Sequence, residues 1–134
     1  MFMFDSPIMI ALSRQLESAS LTQRVVANNV ANVNTPGFKK SHVSFSDELK
    51  MALDEKAPAM ATSHPRHLGG ASNIRDVAPR VVQERDTAMR YSQNNVDIDQ
   101  EMVNLAANTI LYDFSVNALA GRYGIMGYVI RGGR

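Results

Sequence analysis

The chain has 134 residues, of which 45% are hydrophobic and 20% charged, and 14 Lys and Arg against 13 Asp and Glu give a formal net charge of +1. This composition is that of an ordinary globular protein, and a charge so near zero disfavours electrostatic binding of nucleic acid. The absence of cysteine excludes disulfide frameworks, thiolate metal sites and cysteine nucleophiles. We expect neither a secretory signal nor a membrane anchor, because the apolar run at residues 8–12 is short, lacks a preceding basic segment and is soon followed by Arg14.

The N-terminal segment predicts one long amphipathic helix. Residues 8–33 contain neither proline nor glycine, and apolar residues recur every three or four positions, interrupted once by Gln23. The helix should end before Pro36 and Gly37, since proline restricts the residue before it and glycine permits a bend.

The C-terminal segment predicts a second long helix with the same apolar spacing. Its start carries a cap in which Asp97 accepts from backbone N–H groups and Gln100 reaches back, and negative charge in the first turn suits the helix dipole. The residues expected to cap and orient this helix are Asp97, Asp99 and Glu101. Glycines at positions 121, 124 and 127 each cost about 1 kcal/mol relative to alanine. We therefore expect a firm helix to about Leu119 and then a tail that is helical only when packed.

The middle of the chain is less regular. Residues 46–53 predict a short helix, and residues 57–73 predict a loop because they contain two prolines and two glycines among small and polar residues. Short strands at residues 80–85 and 88–91 would form a β-hairpin. The chain thus divides into an N-terminal helix (1–37), a middle segment (38–96) and a C-terminal helix (97–134).

The two terminal helices are expected to pair antiparallel in a coiled-coil-like layer, giving a mainly α fold. Each apolar stripe is narrow and needs a facing helix. The pairing would set Met9, Leu12, Leu16, Val26 and Val30 against Met102, Leu105, Tyr112, Val116 and Leu119. Two interpretations stay open: a self-contained helical adaptor or chaperone-like binding module, or an element of a multi-chain assembly, since two helices alone leave apolar surface uncovered.

Candidate catalytic and metal sites are weak. His64 and His67 have a spacing that metal ligands can use, but no third ligand is near them in sequence. Residues 95–106 imitate a calcium loop, yet Gln100 stands where glycine is needed and Ala106 where glutamate is needed. No nucleophile elbow or phosphate-binding glycine loop occurs. We expect no catalytic residue, no cofactor and no metal.

An asparagine-rich segment at residues 27–38 is the strongest functional signal. Asparagines at positions 28, 29, 32 and 34 are costly in a helix because their amides compete for backbone groups. Helix termination accounts for Asn34 to Gly37 but not for Asn28 and Asn29. We expect these amides to bond to neighbouring chains and fix their register. The predicted assembly and register residues are Asn28, Asn29, Asn32, Thr35, Pro36 and Gly37.

This segment also carries a resemblance. The pattern Asn29-x-x-Asn32-x-x-Thr35-x-Gly37 resembles the N-terminal signature of bacterial flagellar rod and hook proteins, and residues 94–102 resemble the opening of their C-terminal helix. The short chain points to the proximal-rod members of the flagellar basal-body rod protein family, and two short subfamilies of proximal-rod proteins remain open.

The resemblance implies a structural role. Members of the family assemble through their terminal helices into the hollow drive-shaft that crosses the periplasm, and they leave the cytoplasm through the flagellar type III export apparatus without a cleaved signal peptide. The implied partners are copies of the chain itself, other rod subunits, the FliE rod–ring adaptor, the FliF MS-ring protein and the export apparatus. No nucleic acid and no direct membrane insertion are implied.

Overall fold

The computed structural model describes residues 6–46, 49–50, 75–84 and 93–133. The described elements are helix α1 (Pro7–Ala31), strand β1 (Ser41–Ser44), strand β2 (Arg80–Gln83) and helix α2 (Ile98–Ile130). The two strands form a small antiparallel sheet between the long terminal helices. The mainly α fold with long helices at both ends is confirmed.

Helix α1 starts at a proline, and an asparagine follows its last residue. Pro7 occupies the first turn, where its missing N–H costs no hydrogen bond. The helix ends at Ala31, because Asn32 leaves helical geometry with φ −102° and ψ 13°. The turn that follows needs Gly37, whose φ of +72° lies in the left-handed region.

Helix α2 begins at its predicted cap and runs further than expected. The Asp97 carboxylate accepts from the N–H groups of Asp99 (3.0 Å) and Gln100 (3.4 Å). The Gln100 side chain, expected to reach back, instead donates to Asn104 Oδ1 at 3.1 Å. The helix continues through its three glycines to Ile130, so the expectation that it ends near Leu119 in the lone chain is wrong. A cost of about 1 kcal/mol per glycine is too small to stop a ladder of backbone hydrogen bonds in a helix this long.

Strand β2 pairs with a strand that was not predicted, and the predicted hairpin is untested because its second strand lies outside the described residues. Strand β2 pairs with β1, with Ser41 opposite Gln83 and Ser44 opposite Arg80, so its partner comes from the residues that follow the asparagine-rich segment. The second predicted strand (88–91) and the predicted loop (57–73) lie outside the described residues, as does most of the predicted short helix (46–53). The β1 segment was missed because its polar alternation carries no strong strand signal.

The two long helices pack antiparallel. Asn29 near the end of α1 meets Glu101 at the start of α2, and Ala19 earlier in α1 meets Asn108 later in α2. A small apolar core lies where α1, the sheet and the start of α2 converge. Its buried members include Phe45, Val77 and Val96.

The face of α2 that packs on α1 is polar. Its buried residues are Glu101, Asn108 and Ser115, and two of these hydrogen-bond to α1. The predicted seam on α2 therefore needs correction for the single chain, because hydrogen bonding to α1 selects the polar face. Leu105 and Leu119 are half-buried, whereas Met102, Tyr112 and Val116 are exposed. On α1, Met9 and Val26 are buried and Leu12, Leu16 and Val30 are half-buried.

Within the described residues, neither long helix is apolar enough over a sufficient length to cross a membrane.

Candidate assembly site

Asn29 is the buried centre of the junction between the two ends of the chain. Its side chain is 1% exposed. Its Oδ1 accepts from the Ser41 N–H at 3.0 Å, and its Nδ2 donates to the Ser41 carbonyl at 2.8 Å. The same Nδ2 donates to Glu101 Oε2 at 3.0 Å. One amide thus replaces a strand neighbour for Ser41 and binds α2 as well, which a hydrophobic side chain of the same size cannot do.

Asn94 fastens the turn that follows α1. Its Nδ2 lies within hydrogen-bonding distance of three carbonyls, those of Asn32 (3.0 Å), Val33 (3.2 Å) and Thr35 (2.9 Å). Its Oδ1 accepts from the Val96 N–H at 2.7 Å. These carbonyls lie in the turn that follows α1, which ends at Ala31, so a buried amide from the segment before α2 fastens that turn.

Asn95 holds the end of the sheet. Its Oδ1 accepts from the Lys40 N–H at 2.6 Å and its Nδ2 donates to the Glu84 carbonyl at 3.4 Å. Lys40 and Glu84 flank the two strands, and Glu84 N–H donates to the Lys40 carbonyl at 3.0 Å. The two adjacent asparagines therefore hold different parts of the chain. Asn94 holds the turn after α1, and Asn95 holds the end of the sheet.

The other signature residues shape the turn after α1. Asn32 Nδ2 donates to the Asn28 carbonyl at 2.8 Å, and Thr35 Oγ1 donates to Asn32 Oδ1 at 3.3 Å. Asn28, Thr35, Pro36 and Gly37 are exposed. The structure thus joins the Asn32 and Thr35 carbonyls to the segment before α2, whereas Asn29 bonds to Glu101 within α2.

This geometry changes the interpretation of the asparagines. Asn29 bonds within its own chain, so the expectation that its amide fixes the register of neighbouring chains needs correction. Asn28 is exposed, and its contribution to packing between chains stays a prediction. Asn94 and Asn95 were missed as site residues, although the paired asparagines directly before a helix cap were visible in the sequence.

The acidic residues at the start of α2 have separate roles. Asp97 caps the helix, and Asp99 lies exposed in the first turn. Glu101 also lies in the first turn, where its carboxylate is buried against Asn29. Across the described part of the chain, no three His, Cys, Asp or Glu side chains are grouped as metal ligands.

Comparison with known proteins identifies the family of this chain. A family model described as "Flagella basal body rod protein" matches residues 9–39, which cover α1 and the turn that Asn94 closes. The flagellar basal body rod protein FlgB of Borreliella burgdorferi is 35% identical over 123 residues, covering 88% of this chain and 91% of that protein. The chain belongs to the FlgB family of flagellar basal body rod proteins.

Other FlgB proteins match at similar coverage. FlgB of Bacillus subtilis is 33% identical over 123 residues, covering 92% of each chain. FlgB of Escherichia coli is 28% identical over 131 residues, covering 92% of this chain and 94% of that protein. Of the two short proximal-rod subfamilies left open by chain length, these matches support FlgB.

Proposed function

We propose that the chain is a structural subunit of the proximal rod of the bacterial flagellar basal body. Membership of the FlgB family makes it a rod protein that assembles with other rod components. The proposal adds that assembly runs through the terminal helices, and that the junction of Asn29, Asn94 and Glu101 sets the relative position of those helices in each subunit.

The observation that carries the proposal is the apolar surface of α2. Ile110 is 72% exposed, Phe114 is 67% exposed and Ile125 is 63% exposed. These residues recur at helical spacing and lie on the side of α2 turned away from Asn108, which packs on α1. A helix that is apolar on nearly all sides needs cover on nearly all sides. In a rod subunit, neighbouring subunits provide that cover.

The rival interpretation is a self-contained helical adaptor or chaperone-like module. Such a module would bury the apolar residues of its helices against each other. Here the contact between the helices uses Glu101, Asn108 and Ser115, and the large apolar residues of α2 face outward. This arrangement favours the assembling subunit.

Partners and location follow from the proposal. The expected neighbours are copies of the chain, other rod subunits, the FliE adaptor and the FliF ring protein. The flagellar type III export apparatus would carry the chain out of the cytoplasm. The chain would act in the periplasmic rod, without a cleaved signal peptide, and without catalysing a reaction. Mass spectrometry of the chain from purified basal bodies tests whether a signal peptide is cleaved. A mature N-terminus that begins after residue 5 would contradict the proposal that none is.

A complementation experiment tests the function. The gene is deleted in its own bacterium and restored as the native chain, as Ile110→Glu or as Gln23→Glu, the control at an exposed polar position of α1. We expect the native chain and the control to restore rods in purified basal bodies and swimming. We expect Ile110→Glu to restore neither, although it is made at a normal level. Rods that form without the chain would overturn the proposed function.

A further inference from the structure

A cleft of about 490 Å³ lies between α1, β1 and α2. Apolar side chains line part of it, among them Val26, Phe45 and Leu111. Polar residues from α2 line the rest, including Glu101 and Asn108. The cleft is next to the junction described above, but nothing in that junction fills it.

Only one oxygen of the Glu101 carboxylate accepts a hydrogen bond from the described residues. Glu101 is 3% exposed, and its Oε2 accepts from the neutral Asn29 amide at 3.0 Å. Its Oε1 has no hydrogen-bond partner among the described residues. Among those residues, no fully enclosed side-chain oxygen or nitrogen lacks a partner. Oε1 is therefore not fully enclosed, and Glu101 is one of the residues that line the cleft.

The other charged groups that line the cleft pair with one another. Glu84, which also lines the cleft, pairs with Lys40 Nζ at 3.6 Å and His42 Nδ1 at 3.4 Å. Asn108 donates to the Ala19 carbonyl at 2.9 Å, while its Oδ1 accepts no hydrogen bond from the described residues. Two acceptor oxygens of residues that line the cleft, Glu101 Oε1 and Asn108 Oδ1, thus accept no hydrogen bond from the described residues. A carboxylate at a buried site is costly without a cation or several donors.

We propose that the cleft receives an arginine side chain of a second copy of the chain, whose guanidinium donates to Glu101 Oε1. The guanidinium has five N–H donors and pairs well with a carboxylate, and its apolar stem would lie along Val26, Phe45 and Leu111. This inference rests on the proposed function, because it requires subunits that pack side by side.

The chain itself carries suitable arginines. The exposed arginines with no ion-pair partner among the described residues are Arg24, Arg80, Arg122 and Arg131. The described lysines differ, since Lys39 and Lys50 have partners and Lys40 pairs with Glu84. A second copy therefore brings cations that its own fold leaves unused.

The first experiment tests the cleft in the lone chain. The full-length chain is titrated with N-acetylarginine amide, and the side-chain amide signals of Asn29 are followed by NMR. N-acetylcitrulline amide, which has nearly the same shape without the charge, is the control ligand. We expect the Asn29 signals to shift with the arginine compound, but not with the citrulline compound and not in Glu101→Gln. Equal shifts with both compounds, or none with either, would overturn the inference.

The second experiment tests the partner in the assembled rod. Glu101→Gln keeps an oxygen acceptor for Asn29 and removes the charge, and Asp113→Asn is the control for an exposed carboxylate of the same helix. In the deletion strain we expect Glu101→Gln to lower the number of rods about tenfold or more, and Asp113→Asn to leave it unchanged. One of the four Arg→Gln variants should reproduce the loss with an unchanged urea midpoint.

The outcomes separate the claims. If Glu101→Gln builds normal rods, the inference is wrong while the native chain still establishes the rod function. If Glu101→Gln fails but all four arginine variants assemble, a different protein supplies the cation and the second copy is wrong. If the native chain is absent from rods that form normally, the proposed function itself fails.

Discussion

Replacing Asn94 by alanine should unfasten α1 from the start of α2. Its Nδ2 reaches three carbonyls at 2.9–3.2 Å, but two N–H hydrogens can make only two good bonds at once. Its Oδ1 adds a third bond from the Val96 N–H at 2.7 Å. Three buried hydrogen bonds at about 1 kcal/mol each give a loss of about 3 kcal/mol in the free energy of unfolding.

Urea denaturation followed by circular dichroism at 222 nm measures this loss. With an m-value of about 1.5–2 kcal/mol/M, the midpoint should fall by about 1.5–2 M. The matched control is Asn117→Ala, since Asn117 is exposed and its amide donates only to a carbonyl of its own helix. Its free energy of unfolding should change by about 0.5 kcal/mol or less.

Asn94→Asp sharpens the test. The aspartate keeps the acceptor for Val96 N–H but loses the donors, and it places a negative charge beside carbonyls at the negative end of the α1 dipole. It should destabilise the chain at least as much as alanine. A change of less than about 1 kcal/mol for both variants would refute the role of Asn94 in fastening the turn after α1.

Three further predictions use the same urea measurement. Asn29→Leu should cost about 2–4 kcal/mol, because it leaves the Ser41 backbone and Glu101 without their buried partner; a change within error would refute the junction. Gly37→Ala should destabilise the chain by about 1–2 kcal/mol, because the φ of Gly37 is +72°. Gly121→Ala should stabilise it by about 0.5–1 kcal/mol, because a Cβ at Gly121 meets no atom within 4 Å. A change of the same sign in both variants would contradict the backbone argument. Asp97→Ala should cost about 1 kcal/mol by removing the cap of α2, and an unchanged midpoint would show that the cap is dispensable.

The terminal helices were predictable because their signals are local. Apolar spacing, the proline and glycine that follow α1 and an aspartate cap before α2 each act within a few residues of chain. The family resemblance likewise rested on two short motifs. The extension of α2 beyond Leu119 was not predicted, because a propensity cost per glycine says nothing about the length of the helix that absorbs it.

The tertiary partners were not predictable from spacing. Asn29 could have bonded between chains or within one, and only the position of Ser41 and Glu101 decides between these. The predicted seam assumed that apolar residues face the partner helix. The structure instead puts Asn108 against α1 and leaves Met102 and Tyr112 exposed. In a subunit made for assembly, the apolar face and the intramolecular face need not coincide.

The most direct test of the account is the accessibility of α2 before and after assembly. The chain has no cysteine, so Ile110→Cys introduces a single reactive thiol at a position that is 72% exposed in the lone chain. We predict rapid labelling by a maleimide in the isolated chain and almost none in native basal bodies, where neighbouring subunits cover α2. Labelling at the same rate in both would contradict assembly through this face.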